Sequence, residues 1–304
     1  MKIRANRIDV EVLDSAPGDA SRPVVLLIMG LGMQLIAWPS AMVQALVDAG
    51  FRVVRFDNRD AGLSQHFDAL GMPNLLWQGI KYKLGLRIKP PYSLTEMATD
   101  SVGVLDALQI ERAHIVGVSM GGMIAQRVAL LAPQRTLSLT SIMSSSGARG
   151  LPAASAEVTK ALLGRPANKS RQAAIDHSVK LFKVIGSHGS SPGFEMLDAE
   201  LRQRVTEATE RSYHPQGIAR QMVSIVADAG RAKALSGITA PTLVLHGKAD
   251  QLVPFACGED TARRIPGATL VDVEEMGHDL PPGVVARLLE LMIPHFKKAG
   301  AGTP

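Results

Sequence analysis

His114-Ile-Val-Gly-Val-Ser-Met-Gly-Gly-Met-Ile-Ala-Gln126 is the stretch on which the fold turns. Its apolar start, Ile115, Val116 and Val118, reads as a buried strand, and Met123 to Leu131 reads as a helix. Ser119 sits at the junction, inside Gly117-x-Ser119-x-Gly121. A strand that turns directly into a helix leaves no space for side chains beside the turn, which is why glycines flank the serine. The strained turn lifts the hydroxyl above the sheet edge. The helix start behind it offers free N–H groups and a positive dipole end. A bare GxSxG arises by chance. The strand before it, the helix after it and Gly122 for close packing supply the context that makes Ser119 a candidate nucleophile.

Strand and helix patterns alternate on either side of this segment. Ile8, Val10 and Val12 alternate with polar residues, as in one arm of an opening hairpin, and Ser15 to Pro23 is a turn-rich break. Val24-Val-Leu-Leu-Ile-Met29 is continuously apolar, the pattern of a strand covered on both faces. A helical period follows from Ala37 to Val47 and stops at Gly50; Arg52 to Phe56 is the next strand. Ser93 with Glu96 forms a capping box for a helix running to Leu108. Leu137 to Met143 gives another strand, and Pro241 to His246 and Ala268 to Val273 give two more before a last helix from Val284 to Phe296. Between about Gly147 and Leu235 only helical patterns occur, including Ala174 to Val184 and Glu195 to Arg211. The expected architecture is α/β: a mostly parallel sheet flanked by helices, with a helical cap inserted between sheet strands. Residues 1–146 and 236–304 form the core and 147–235 the cap, which has nowhere to pack except over the strand ends above Ser119.

A serine hydroxyl needs a neutral imidazole to take its proton, and the imidazole needs an acid to fix its tautomer. His278, in Glu275-Met-Gly-His-Asp279, follows the strand ending at Val273, and Gly277 permits a close approach. Asp250 lies just past the strand ending at His246. The chain order Ser119, Asp250, His278 suits a sheet of this type. His114 opens its strand at the wrong end, and His246 ends one; both are expected to be structural. His66 lies on a polar loop, and His177, His188 and His214 are expected on solvated faces of the cap. Asp279 is too near His278 in sequence to orient its ring. The oxyanion of a tetrahedral intermediate needs backbone donors, assigned to the N–H groups of Leu31 and Met120. Gly30, Met33 and Met143 are expected to line an apolar substrate pocket.

The chain has 304 residues, 46% hydrophobic and 20% charged, as in a protein with one large core. A formal charge of +5 raises a nucleic-acid reading, but basic residues are scattered, aromatics are only 4%, and no recognition motif occurs. The basic stretch Lys81 to Lys89 is interleaved with apolar residues and is expected to pack on the protein, with an interfacial role as the alternative. The longer segment Phe67 to Tyr92 either borders the entrance or packs on the sheet. One cysteine, Cys257, excludes an intramolecular disulfide and a cysteine metal site. No histidine pair has HExxH-like spacing, so neither metal nor cofactor is expected. The amino terminus lacks an apolar signal region, and no stretch spans a bilayer, so a cytoplasmic protein of open oligomeric state is expected.

With these residues in place, the chain resembles the α/β-hydrolase superfamily along nearly its whole length. Phe56-Asp-Asn-Arg-Asp-Ala-Gly-Leu-Ser64 is similar to the family's loop after the second parallel strand. The resemblance implies that Asp57, Arg59 and Asp60 knit the oxyanion side of the site together. Pro241 to Asp250 and Gly277-His278 match the acid and base segments, and Ile28 to Met33 with Trp38-Pro39 looks most like the branch containing aclacinomycin methylesterase and bacterial carboxylesterases. Met29 stands where many members carry histidine before the oxyanion glycine. The resemblance implies a serine carboxylesterase acting on a small-molecule ester. A cofactor-free haloperoxidase (perhydrolase) or a lactonase would share the triad, and a non-catalytic binding protein would keep only the pocket.

Overall fold

The computed structural model describes residues 1–228 and 230–301. Eight strands form one sheet: β1 (Lys2–Ala5), β2 (Ile8–Asp14), β3 (Val24–Ile28), β4 (Arg52–Phe56), β5 (Ala113–Val118), β6 (Thr136–Ile142), β7 (Thr242–Gly247) and β8 (Thr269–Val273). Their order is β1-β2-β4-β3-β5-β6-β7-β8. The first two strands pair antiparallel, with each other and with β4, and every later pairing is parallel. The α/β expectation holds, and β5 with its serine lies near the middle of the sheet.

The helices are α1 (Ser40–Asp48), α2 (Leu75–Lys83), α3 (Leu94–Ala107), α4 (Met120–Leu131), α5 (Ala156–Leu163), α6 (Arg171–Ile185), α7 (Asp198–Arg211), α8 (Pro215–Ala227), α9 (Arg231–Ala234), α10 (Ala256–Arg264) and α11 (Pro282–Ala301). β3 shows why its sequence carries no polar residue. Val24, Leu26 and Ile28 enter the cluster beneath α3 and α4, while Val25, Leu27 and Met29 enter the one beneath α1 and α11. Alternate side chains leave opposite faces of a strand, so a strand covered on both sides must be apolar throughout. Each such side chain stabilises the fold by about 1.5–3 kcal/mol. The Ser93 box forms as expected, with the hydroxyl accepting from Glu96 N and the Glu96 carboxylate accepting from Ser93 N.

Between β6 and β7 the described residues hold helices α5 to α9 and no strand. Ile175, Val179 and Val205, with Phe182 and Leu201, give α6 and α7 a small core of their own. Two helices have no counterpart in the sequence pattern. One is α10, whose buried residues include Asp260 and Thr261. The other is α2, which buries none of its residues. The stretch Lys81 to Lys89 therefore does not pack as expected: Lys83, Leu84, Leu86, Arg87 and Lys89 all stand exposed. Among the described residues no helix is long and apolar enough to cross a membrane.

Candidate active site

Ser119 is the N-cap of α4 and holds φ +54 and ψ −122. A non-glycine residue in such a conformation costs about 1–3 kcal/mol and persists only where its surroundings force it. Here the forcing is visible on both sides. A Cβ on Gly117 would lie 2.0 Å from the Gly121 carbonyl oxygen, and one on Gly121 would lie 2.1 Å from that of Ile28. The serine backbone is pinned to β6 and its loop as well: Ser119 N donates to Ile142 O at 2.9 Å, and Ser144 Oγ donates to Ser119 O at 2.7 Å. Strand, turn and helix thus meet at van der Waals distance, and the hydroxyl is left to project.

His278 Nε2 lies 2.9 Å from Ser119 Oγ, and His278 Nδ1 lies 2.7 Å from Asp250 Oδ2. The other carboxylate oxygen, Oδ1, accepts from Leu252 N at 2.9 Å and Val253 N at 2.8 Å. Those two donors leave Oδ2 to face His278 Nδ1, and in the tautomer with its proton on Nδ1 the ring donates to Oδ2 and presents the Nε2 lone pair to the serine. Asp250 and His278 are both buried. Backbone contacts set the imidazole in place: His278 N donates to Ile185 O at 2.7 Å, and Gly277 N donates to Ser187 Oγ at 2.8 Å. Ile185 and Ser187 belong to the end of α6 and the residues after it, so the helices between β6 and β7 help to seat the ring. The three residues singled out in sequence are therefore brought together.

Neither Leu31 N nor Met120 N has a hydrogen-bond partner among the described residues. Gly30 abuts the serine: a Cβ there would stand 3.2 Å from Ser119 Cβ. Leu31 packs against the cluster under α3 and α4, and Met33 against the opposite cluster. Met143, at φ +42 after β6, is buried in that second cluster and so packs the core beside the site.

The loop after β3 is held from two directions. From the sheet side, Asp57 Oδ1 accepts from Leu35 N at 2.7 Å, and Asn58 Nδ2 donates to Met29 O at 2.9 Å. From α8, Gln221 Oε1 accepts from Gly32 N at 2.8 Å while Gln221 Nε2 donates to Arg59 O at 2.8 Å. Ile218 presses on the same loop, 2.7 Å from where a side chain on Gly32 would begin. Arg211 on α7 donates to both Gln34 Oε1 and Asp57 Oδ2. The expected roles of Arg59 and Asp60 differ in detail. Arg59 pairs with Asp100, and Asp60 accepts from Arg220, Tyr92 and Phe67 N, so both side chains brace the outer loop. Gln221 escaped the sequence reading. Its signal is a polar residue between Ile218 and Ile225 on one stripe of α8.

The remaining histidines have other partners. His114 is fully buried against Ser138 Oγ at 2.8 Å, and burial holds its imidazole down to about 4. His246 bonds Val253 O at 2.7 Å, and burial likewise lowers its proton affinity. Asp279 accepts from Ser187 N at 2.9 Å and does not orient the His278 ring. His66 and His214 stack at 3.9 Å, and with Asp68 their ligand atoms fall within 4.8 Å of one another. Metal binding there would compete with Arg220 Nη2, which donates to His214 Nε2 at 2.9 Å and to Asp68 Oδ1 at 3.2 Å.

A family model described as the alpha/beta hydrolase fold matches residues 23–281. The chain is 29% identical to a rhodomycin D methylesterase of a Streptomyces species over 96% of both chains. It is also 29% identical to a putative carbamate hydrolase of Variovorax paradoxus over 86% of both. Among solved structures, the enol-lactonase from Burkholderia xenovorans superposes with a TM-score of 0.73 at 20% identity, over 98% of this chain and 100% of that one.

Proposed function

The chain belongs to the α/β-hydrolase fold family, and from that premise we propose that it is a serine carboxylesterase acting on small to medium apolar esters. The observation that carries the reading is the continuous relay from Ser119 Oγ through His278 to Asp250, at 2.9 and 2.7 Å. In this reading Ser119 Oγ attacks the ester carbonyl carbon as its proton passes to His278 Nε2. The electron pair displaced onto the carbonyl oxygen is met by the N–H groups of Leu31 and Met120. Each such donor contributes about 3 kcal/mol at the transition state. Collapse of the intermediate breaks the bond to the alcohol, which leaves with the proton from His278. Water then attacks the acyl-serine, gives its proton to the imidazole, and the carboxylic acid departs with Ser119 restored. Asp250 stabilises the imidazolium at both stages.

The helices between β6 and β7 act as a cap in this reading, since α6 reaches the His278 backbone and α8 the loop after β3. The likeness to a methylesterase over nearly the whole chain supports an ester with a small alcohol portion.

The test is a panel of p-nitrophenyl esters of increasing acyl length with a lactone added, run on the parent and on Ser119→Ala. A chain-length optimum in the parent, with turnover reduced at least about a thousandfold in the variant, supports the reading. Ester turnover surviving Ser119→Ala would move the chemistry elsewhere. Opening of the lactone in preference to every ester would replace the substrate class.

A further inference from the structure

More than half of the large apolar side chains exposed among the described residues fall between residues 70 and 86. On α2, Leu76 is 78% exposed and Trp77 50%, and beyond it Leu84 is 67% exposed. Leu76, Ile80 and Leu84 recur at helical spacing, so they form one stripe. In a globular protein such a stripe ordinarily faces the core, but here it faces outward. A contiguous exposed apolar patch of this kind marks an interaction surface.

Its charge is one-sided. From Ala69 to Thr95 the sequence contains Lys81, Lys83, Arg87 and Lys89 and no acidic residue. Arg149 adds a further cation, 3.3 Å from where a side chain on Gly85 would begin. None of the five forms an ion pair among the described residues, and Lys81 Nζ lies over the Trp77 ring at 5.7 Å. The acids flanking the patch are engaged already, Asp68 with Arg220 and Asp228 with Arg127 and Arg231. Exposed Leu, Ile and Trp beside unpaired Lys and Arg match a surface with acyl chains below and negative headgroups above. A protein partner would need an acidic rim around an apolar socket, whereas a bilayer supplies both without shape matching.

We infer that the segment from Leu70 to Lys89 docks this protein on an anionic lipid surface. The docking is peripheral, with α2 lying in the headgroup plane. Its mount is firm. Arg220 Nη1 donates to Gly71 O at 2.8 Å, and α2 rests on α8, which also carries Ile218 and Gln221 against the loop after β3. A cleft of ≈ 480 Å³ lies between Leu86, Ile88, Arg149 and the end of α8. Docking through this surface does not depend on the hydrolytic chemistry.

The test is co-sedimentation with vesicles of about two parts phosphatidylcholine to one part phosphatidylglycerol, set against phosphatidylcholine alone. Expected is binding to the mixed vesicles that salt weakens, with little on neutral ones. The chain has only two tryptophans and Trp38 is buried. A blue shift on mixed vesicles therefore reports Trp77 and disappears in Trp77→Phe. Lys81→Gln with Lys83→Gln weakens partition about fivefold per charge, roughly thirtyfold together, at an unchanged thermal midpoint. Equal partition onto neutral and anionic vesicles, or none at low salt, overturns the inference. So does a blue shift that appears without vesicles as the protein doubles in mass, which would make a second copy the occupant.

Discussion

Gln221 on α8 accepts the Gly32 N–H at 2.8 Å and hands its own amide to Arg59 O at the same distance, bridging two loops that meet beside Ser119. The side chain is fully buried, so removing it leaves a donor and an acceptor without partners. Gln221→Leu is expected to lower kcat about tenfold, from roughly 1–3 kcal/mol of lost support, with KM little changed. Gln221→Glu keeps the acceptor for Gly32 N but sets a second acceptor oxygen against Arg59 O in a buried place, so it should not recover the loss. Equal kcat in all three proteins would show that the loop holds its shape without α8.

Asp250→Asn separates orientation from packing. The amide can still accept from Leu252 N and Val253 N through its oxygen, but its NH₂ group then faces His278 Nδ1 and favours the opposite tautomer. Under the proposed function, turnover is expected to fall by about four orders of magnitude, as loss of the correct tautomer does in serine proteases. Near-ultraviolet circular dichroism should stay that of the parent. A variant retaining a tenth of the parental kcat would remove Asp250 from the relay.

Gly121→Ala tests the turn. Its new methyl group would sit 2.1 Å from Ile28 O and 2.7 Å from Ile28 C, atoms of a central strand that has no room to retreat. We expect more than about 3 kcal/mol of destabilisation, a fall of at least about 6 °C in Tm, or failure to accumulate as soluble protein. A parental Tm in this variant would contradict the packing of α4 on β3.

Stability should also depend on pH through the buried histidines. Burial holds His114 down to about 4 from an ordinary 6.5, and among the described residues its Nε2 has no hydrogen-bond partner to meet a proton's charge. The folded value lies below the unfolded one, so the unfolded chain binds the proton more readily. The contribution of the neutral ring is complete above about pH 6.5 and is lost as pH falls toward about 4. His246 shifts in the same direction for the same reason. In urea titrations across that window, His114→Gln should show a shallower decline than the parent, by up to about 3 kcal/mol. Parallel curves would mean that the ring gains solvent or a partner when charged.

The sheet and the meeting of Ser119, Asp250 and His278 were legible because each rests on local rules. Continuous apolar runs mark strands covered on both faces, and glycines at Gly117 and Gly121 mark a turn with no room for a side chain. The order of Asp250 and His278 follows from where strands end. The supports of the loop after β3 were not legible, because they come from α7 and α8, far away in sequence. Nothing local in Gln221 or Arg211 says which loop each will meet. α10 was missed since its buried side carries Asp260, which accepts from Ser146 Oγ at 2.5 Å and bonds Arg264, so no apolar period announces it. α2 was missed for the opposite reason. Trp77, Ile80, Tyr82, Leu84 and Leu86 crowd the segment with apolar residues on more than one face, so no single clear period emerges.

The helices between β6 and β7 grip the site twice, through Ile185 O on the His278 backbone and through Gln221 on Gly32. Transplanting that insertion from a relative, in order to change which molecules are accepted, would reset the imidazole and the loop in one stroke. Under the proposed function, selectivity and turnover in this chain would therefore not be exchangeable modules. A graft that succeeds must carry over both anchors, or leave residues 185 and 221 where they stand.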